Sequence, residues 1–222
     1  MIWLANNPSP SVCESEDAVH AGCILYKESI QKITKVCTDA REDGIPVIWL
    51  QDVAGFDIGE DAENKGLLRY GAALLRELAD DALDNPPHLC VLLRKASGAG
   101  YYAMKGAPFS PAWIVATAAT RLEVMAPQTL ADTMYRKKIQ SLGDSPENAA
   151  QRQMIETARL HLIEHQTESS RPQSAAMRGD VDMIVYLHQL RQLAVSFVRA
   201  AYQSTNHIHK PSRLWASGQV DL

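Results

Sequence analysis

Two short runs of the chain, Pro46-Val-Ile-Trp-Leu50 and Leu89 to Leu93, are apolar without interruption. Strands that read this way, rather than alternating with polar residues, are covered on both faces, as in the parallel sheets of α/β proteins. Between and around them the period changes to that of helices. Tyr26, Ile30, Ile33, Cys37 and Ala40 recur at helical spacing until Gly44 and Pro46 end the pattern, and Leu67, Tyr70, Gly71, Leu74 and Leu78 line a second face. With Met1–Ala5 as a first strand, the order is strand, helix, strand, helix, strand, which implies a largely parallel sheet with right-handed crossovers.

Further strands are expected at 120–125 and 181–185, each followed by a helical pattern, 128–139 and 187–202. Ser145-Pro-Glu is a cap-like start for a long polar helix to Glu168. The Pro- and Ser-containing stretch through Asp17 has no period and reads as a loop, and Gln51 to Glu60 reads as a turn. At 222 residues the expectation is a single domain, with 204–222 as a tail ordered only by contact with another subunit.

The net charge of −4 comes with no long basic run, so nucleic acid is not an expected partner. Cys13, Cys23, Cys37 and Cys90 form no CxxC pair, which suits a reducing cytoplasm. No apolar run approaches the roughly 20 residues that span a bilayer, and Met1–Asn7 is too short for a signal peptide, so any membrane link is expected through a partner.

The chemistry is concentrated in two glycine turns. Asp52-Val-Ala-Gly-Phe-Asp-Ile-Gly59 joins a buried strand to a helix starting near Asp61; Ser97-Gly-Ala-Gly-Tyr-Tyr-Ala-Met104 repeats the arrangement after the next strand. Glycines there permit sharp bends that leave backbone N–H groups at the mouth of the sheet. Two such bends on neighbouring parallel strands would aim their amides into one crevice, the geometry of an oxyanion hole. The competing reading is that tight strand-to-helix turns simply need glycine.

Three other signals compete. His161-Leu-Ile-Glu-His165 has the HxxEH spacing of zinc peptidases, but no glutamate follows Glu168 to supply a further ligand, so a solvated helix face is expected and no metal. His207-Ile-His209 reads as a tail pair. Asp52 and Asp57 flank the first turn, as a carboxylate pair for acid–base work or, the preferred reading, as caps of the following helix. Ser97 lacks the GxSxG frame of a nucleophile.

The residues from Gly44 to Gly59, then Asp61-Ala-Glu, Leu67-Leu-Arg-Tyr-Gly71 and Arg94 to Gly106, closely resemble the C-terminal domain of biotin-dependent acyl-CoA carboxyltransferases. Thr117 to Met125, Ala131 to Arg136 and Arg178-Gly-Asp-Val-Asp182 extend the likeness, most of all to glutaconyl-CoA decarboxylase alpha subunits. The resemblance implies a crotonase-like α/β domain, a superhelix of β-β-α units. It implies that the amides of Gly55, Phe56, Ala99 and Gly100 form an oxyanion hole for the ureido oxygen of biotin, with Ala54, Gly98 and Tyr101 beside the cofactor. A carboxyl group would pass between a glutaconyl-CoA-like acyl-CoA and biotin on a carrier protein. The implied partners are an acyl-CoA, a biotin carrier protein, an N-terminal carboxyltransferase domain or subunit, and further copies of the chain. A stand-alone crotonase-type hydratase or isomerase and a non-catalytic assembly subunit are the alternatives. Tyr101, where relatives often carry a smaller polar residue, Lys105 and the loop from Pro8 to Gly22 depart from the family pattern.

Overall fold

The structure, a computed structural model, describes residues 1–13, 18–80, 86–109, 111–142 and 148–203. Its centre is a parallel sheet in the order β1 (Ile2–Ala5), β5 (Val47–Val53), β7 (His88–Ser97), β8 (Trp113–Thr117), β10 (Met183–Val185), with β9 (Arg121–Glu123) added on the far half of β7. β5 and β7 run side by side from the Val47–His88 pair to the Val53–Ala96 pair, with a register shift between Gln51 and Val53.

The apolar strands are covered on both faces, as their composition requires. Val47 and Trp49 of β5 join one cluster with Ile30, Ile33, Cys37 and Ala40 of α1 (Lys27–Asp43) and Leu74 and Leu78 of α3 (Leu67–Asp80). Ile48, pointing the other way, joins Leu89, Val91, Val115 and the Ala194 and Phe197 of α8 (Leu190–Gln203). The alternation along one strand therefore builds two cores.

The remaining elements frame the sheet. β4 (Ile24–Leu25) pairs in parallel with β6 (Gly55–Phe56), α2 spans Glu60–Asn64, and α4 (Gly98–Ala103) follows β7 without a linking residue. α5 (Pro127–Leu142) and α6 (Ala149–Ser169) lie against each other, joined by the Arg159–Asp132 ion pair at 2.7 Å, and α7 (Pro172–Arg178) returns the chain to β10. No helix among the described residues is long and apolar enough to cross a membrane.

Several boundaries differ from the sequence expectation. The stretch read as a loop contains an antiparallel hairpin, β2 (Ser11–Cys13) with β3 (Ala18–His20). Val12 and Val19 in it are exposed, so no buried face imposes a period. The stretch read as a turn from Gln51 begins as strand, because Gln51 and Asp52 are buried and hydrogen-bonded inside the sheet. β8 had no counterpart in the expected order, and the strands expected at 120–125 and 181–185 shorten to three residues each. The cap-like Ser145 and the tail from 204 lie outside the described residues.

Candidate functional site

The two glycine turns meet. A Cβ added at Gly100 would lie 3.0 Å from the Gly55 Cα, 3.2 Å from the Gly55 N and 2.8 Å from a Val53 methyl. The contact with the Val53 methyl is closer than real Cβ atoms come and the two with the Gly55 backbone are tighter than most, so any side chain at Gly100 would push the second bend off the first. Gly98 is required for a different reason. Its φ of +52° is left-handed, and the space its side chain would take is closed by the Val124 carbonyl at 3.0 Å.

Each bend leaves amides differently placed. On the first, the Ala54 N–H donates to the Cys23 carbonyl at 2.8 Å and the Asp57 N–H to the Leu25 carbonyl at 3.0 Å, so both are spent holding β6 to β4. On the second, Gly98, Ala99 and Gly100 form the first turn of α4, where helix geometry provides no acceptor for the N–H groups, and Ser97 at the cap position makes no side-chain hydrogen bond to them. The sequence-derived set Gly55, Phe56, Ala99 and Gly100 is thus brought to one place, with Gly98 and Ala54 beside it.

Buried polar groups hold the bends. Gln51, fully buried in β5, donates from Nε2 to the Tyr101 carbonyl at 3.0 Å, fixing α4 to the strand two residues ahead of Val53. The Cys90 thiol lies against the Gln51 Oε1 and the Met104 carbonyl; burial pushes it up to about 12. The Tyr101 ring is buried too, its hydroxyl accepting the Ala107 N–H at 3.0 Å, and burial raises its phenol to about 12. Lys105, the other departure, is buried with Nζ donating to the Leu78 carbonyl at 3.3 Å near the end of α3, where a cation is favoured.

Asp52 and Asp57 do not cap α2. Gly59 holds the N-cap position with no side-chain cap bond, Asp57 accepts the Ile58 N–H at 3.0 Å, and Asp52 pairs with Arg94. The Arg94 Nη2 lies 2.9 Å from the Asp52 carboxylate, which also accepts the Lys95 N–H at 2.9 Å, while the Asp52 backbone is bridged on both sides by the Asn6 amide. Sequence reasoning gave neither Asn6, Gln51 nor Arg94 a role, because each partner lies more than forty residues away.

In front of α4 opens a cleft of about 420 Å³, lined by Gly98, Ala99, Tyr102, Glu123, Arg178 and Asp180 among others. Glu123 stood inside a segment that carried the family resemblance but without an assigned role. Desolvation pushes its carboxyl above the usual range, opposed by the cations Arg121 and Lys95. His161 and His165 lie exposed on α6, and among the described residues no three His, Cys, Asp or Glu side chains are grouped to hold a metal.

Residues 3–214 match the family described as the carboxyl transferase domain. The glutaconyl-CoA decarboxylase subunit alpha of Acidaminococcus fermentans is 31% identical over 195 residues, 86% of this chain and 32% of that protein. The methylmalonyl-CoA carboxyltransferase 12S subunit of Propionibacterium freudenreichii subsp. shermanii is 29% identical over 81% of this chain and 32% of its own length. A crystal structure of transcarboxylase 12S, described as a hexamer with methylmalonyl-coenzyme A bound, superposes with a TM-score of 0.67 at 26% identity, covering 81% of this chain and 32% of that one. The beta subunit of P. aeruginosa geranyl-CoA carboxylase shares the fold at a TM-score of 0.70 and 18% identity, over 86% of this chain and 35% of its own. The chain therefore spans about a third of the length of the relatives it matches. With two glycine bends in contact at the carboxyl edge of a crotonase-like α/β sheet, and a family match from residue 3 to residue 214, the chain belongs to the carboxyl transferase domain family.

Proposed function

We propose that residues 1–222 act as the C-terminal domain of a biotin-dependent acyl-CoA carboxyltransferase, working with a homologous N-terminal domain and a biotin carrier protein in an assembly of several copies. The substrate class is an acyl-CoA of the glutaconyl-CoA kind. The observation that carries this reading is the approach of Gly100 to Gly55, which puts both bends at one point.

The Ala99 and Gly100 N–H groups at the start of α4, with the Phe56 N–H from β6, serve as donors to a carbonyl oxygen. Gly55 and Gly98 keep the approach clear of side chains. The cleft in front of α4, with Leu122, Val124 and Tyr102 on its walls, fits a compact ring with one polar edge, as the bicyclic head of biotin has. Biotin, when bound, supplies the ring nitrogen that exchanges the carboxyl group. The protein contributes fixed dipoles that stabilise charge growing on the ureido oxygen, and the removal of one such donor typically costs about a hundred- to a thousand-fold in rate. No side chain at the bends needs to act as acid, base or nucleophile.

The test is reconstitution: the full chain is mixed with a carboxyltransferase N-terminal domain and a biotinylated carrier, and decarboxylation of malonyl-CoA and glutaconyl-CoA is followed. Turnover that depends on biotin is expected. No turnover in any such complex would sink the proposal, and turnover that survives removal of biotin would favour a stand-alone hydratase or isomerase.

A further inference from the structure

Glu123 ends β9, and its Cα is paired with that of Ser97, the residue immediately before α4. The two strands are parallel, so Glu123 and the first amides of α4 leave the sheet at the same edge and line the same cleft. The position is held firmly. The Thr117 and Thr120 hydroxyls donate to the Leu93 and Leu92 carbonyls of β7, and the Leu122 N–H donates to the Ser170 carbonyl at 2.9 Å. Among the described residues no hydrogen bond or ion pair engages the Glu123 carboxylate; Arg121 from its own strand and Lys95 from β7 act on it through space. Across the cleft Arg178 is paired with Asp180 at 2.8 Å, and the Tyr101 phenol stays protonated. A half-buried carboxylate beside a row of N–H donors presents an acceptor and donors side by side.

A cyclic urea carries the complementary edge, a carbonyl oxygen flanked by ring N–H groups. We propose that Glu123 accepts a hydrogen bond from a ring N–H of the cyclic urea whose oxygen faces the α4 amides, and so fixes which way the ureido ring of biotin enters the cleft. This rests on the carboxyltransferase reading above. Glu123 is a positioning residue here: the N–H it holds is that of the nitrogen not exchanging the carboxyl group. The ionised carboxylate accepts this bond more strongly than the protonated acid does, so a bound urea favours loss of the Glu123 proton and affinity falls as the pH drops through the raised carboxyl range.

The experiment titrates the full 222-residue chain, followed by amide chemical shifts, with two probes, imidazolidin-2-one and its 1,3-dimethyl derivative, which lacks the N–H groups. The wild type is expected to bind the unmethylated urea about fivefold or more tightly, with affinity weakening towards acid, as one hydrogen bond to a charged group predicts. Glu123→Ala should bring the two probes together, and Glu123→Gln should abolish the pH dependence while leaving thermal stability unchanged. Preference for the unmethylated urea that persists in Glu123→Ala would overturn the assignment while leaving the carboxyltransferase reading intact. Failure of the wild type to bind either urea would also overturn it, and turnover of the reconstituted complex then decides separately whether that broader reading survives.

Discussion

Asp52 and Arg94 leave adjacent parallel strands and meet at 2.9 Å immediately before the first glycine bend, with the Asp52 carboxylate also taking the Lys95 N–H. The carboxylate is almost buried whereas the guanidinium is half exposed, so the pair is a clasp anchored from inside. Asp52→Ala strands the Lys95 N–H and is expected to lower stability by about 1–2 kcal/mol. Asp52→Asn, which keeps an acceptor, should recover part of the loss. Urea denaturation midpoints of the three proteins check this; equal midpoints would show that the clasp contributes nothing to the fold.

Gly100→Val places branched carbons where the Gly55 backbone already lies. Overpacking of this kind costs about 1–3 kcal/mol, so the variant is expected to fold with a lowered melting temperature. The reconstituted activity, by contrast, should fall by about a hundredfold or more because the donors are pushed apart. Activity within a factor of two of wild type would mean that the chain serves as scaffold.

Burial raises the Cys90 thiol from 9.0 and the Tyr101 phenol from 10.0, both to about 12. In the unfolded chain both ionise earlier, so above pH 9 the unfolded state binds fewer protons than the folded one and stability falls with rising pH. Stability should be flat for these groups below pH 9 and decline up to about pH 12. Chemical denaturation at stepped alkaline pH measures it, and Cys90→Ala should flatten the onset. A thiol reagent at pH 8 should leave Cys90 unmodified until urea unfolds the chain.

Dialysis against a chelator is expected to leave the melting temperature unchanged, since His161 and His165 stand exposed on α6 with no third donor grouped beside them among the described residues. A drop of several degrees, restored by zinc, would revive the HxxEH reading.

The parts of this fold that were legible in the sequence are those where one residue type repeats a physical demand. Val47 to Leu50 and Leu89 to Leu93 announced doubly covered strands because both faces of the sheet are packed. β8 was missed although Trp113, Ile114, Val115 and Thr117 are all strand formers, because the run is only five residues long and the alanines after it blur its end; its place in the sheet is between β7 and β10. α7 escaped although Pro172 at its start and the left-handed Gly179 at its end are ordinary helix punctuation. At the site, the glycines revealed the bends, but the partners that hold them did not show. Asn6, Gln51 and Arg94 act across more than forty residues, and only folding reveals such pairings. Asp52 was misassigned for the same reason: next to a helix start a carboxylate reads as a cap, and its real partner comes from the neighbouring strand.

On the proposed reading, the reaction centre where Gly55 and Gly100 meet is written in the main chain, and a side chain at Gly100 would force its two halves apart. Any drift in what such a protein accepts has to happen at the margins, at positions such as Tyr102, Glu123 and Arg178, while the middle stays bare. Diversity of substrates within one architecture then becomes a matter of changing the doorway and never the hearth.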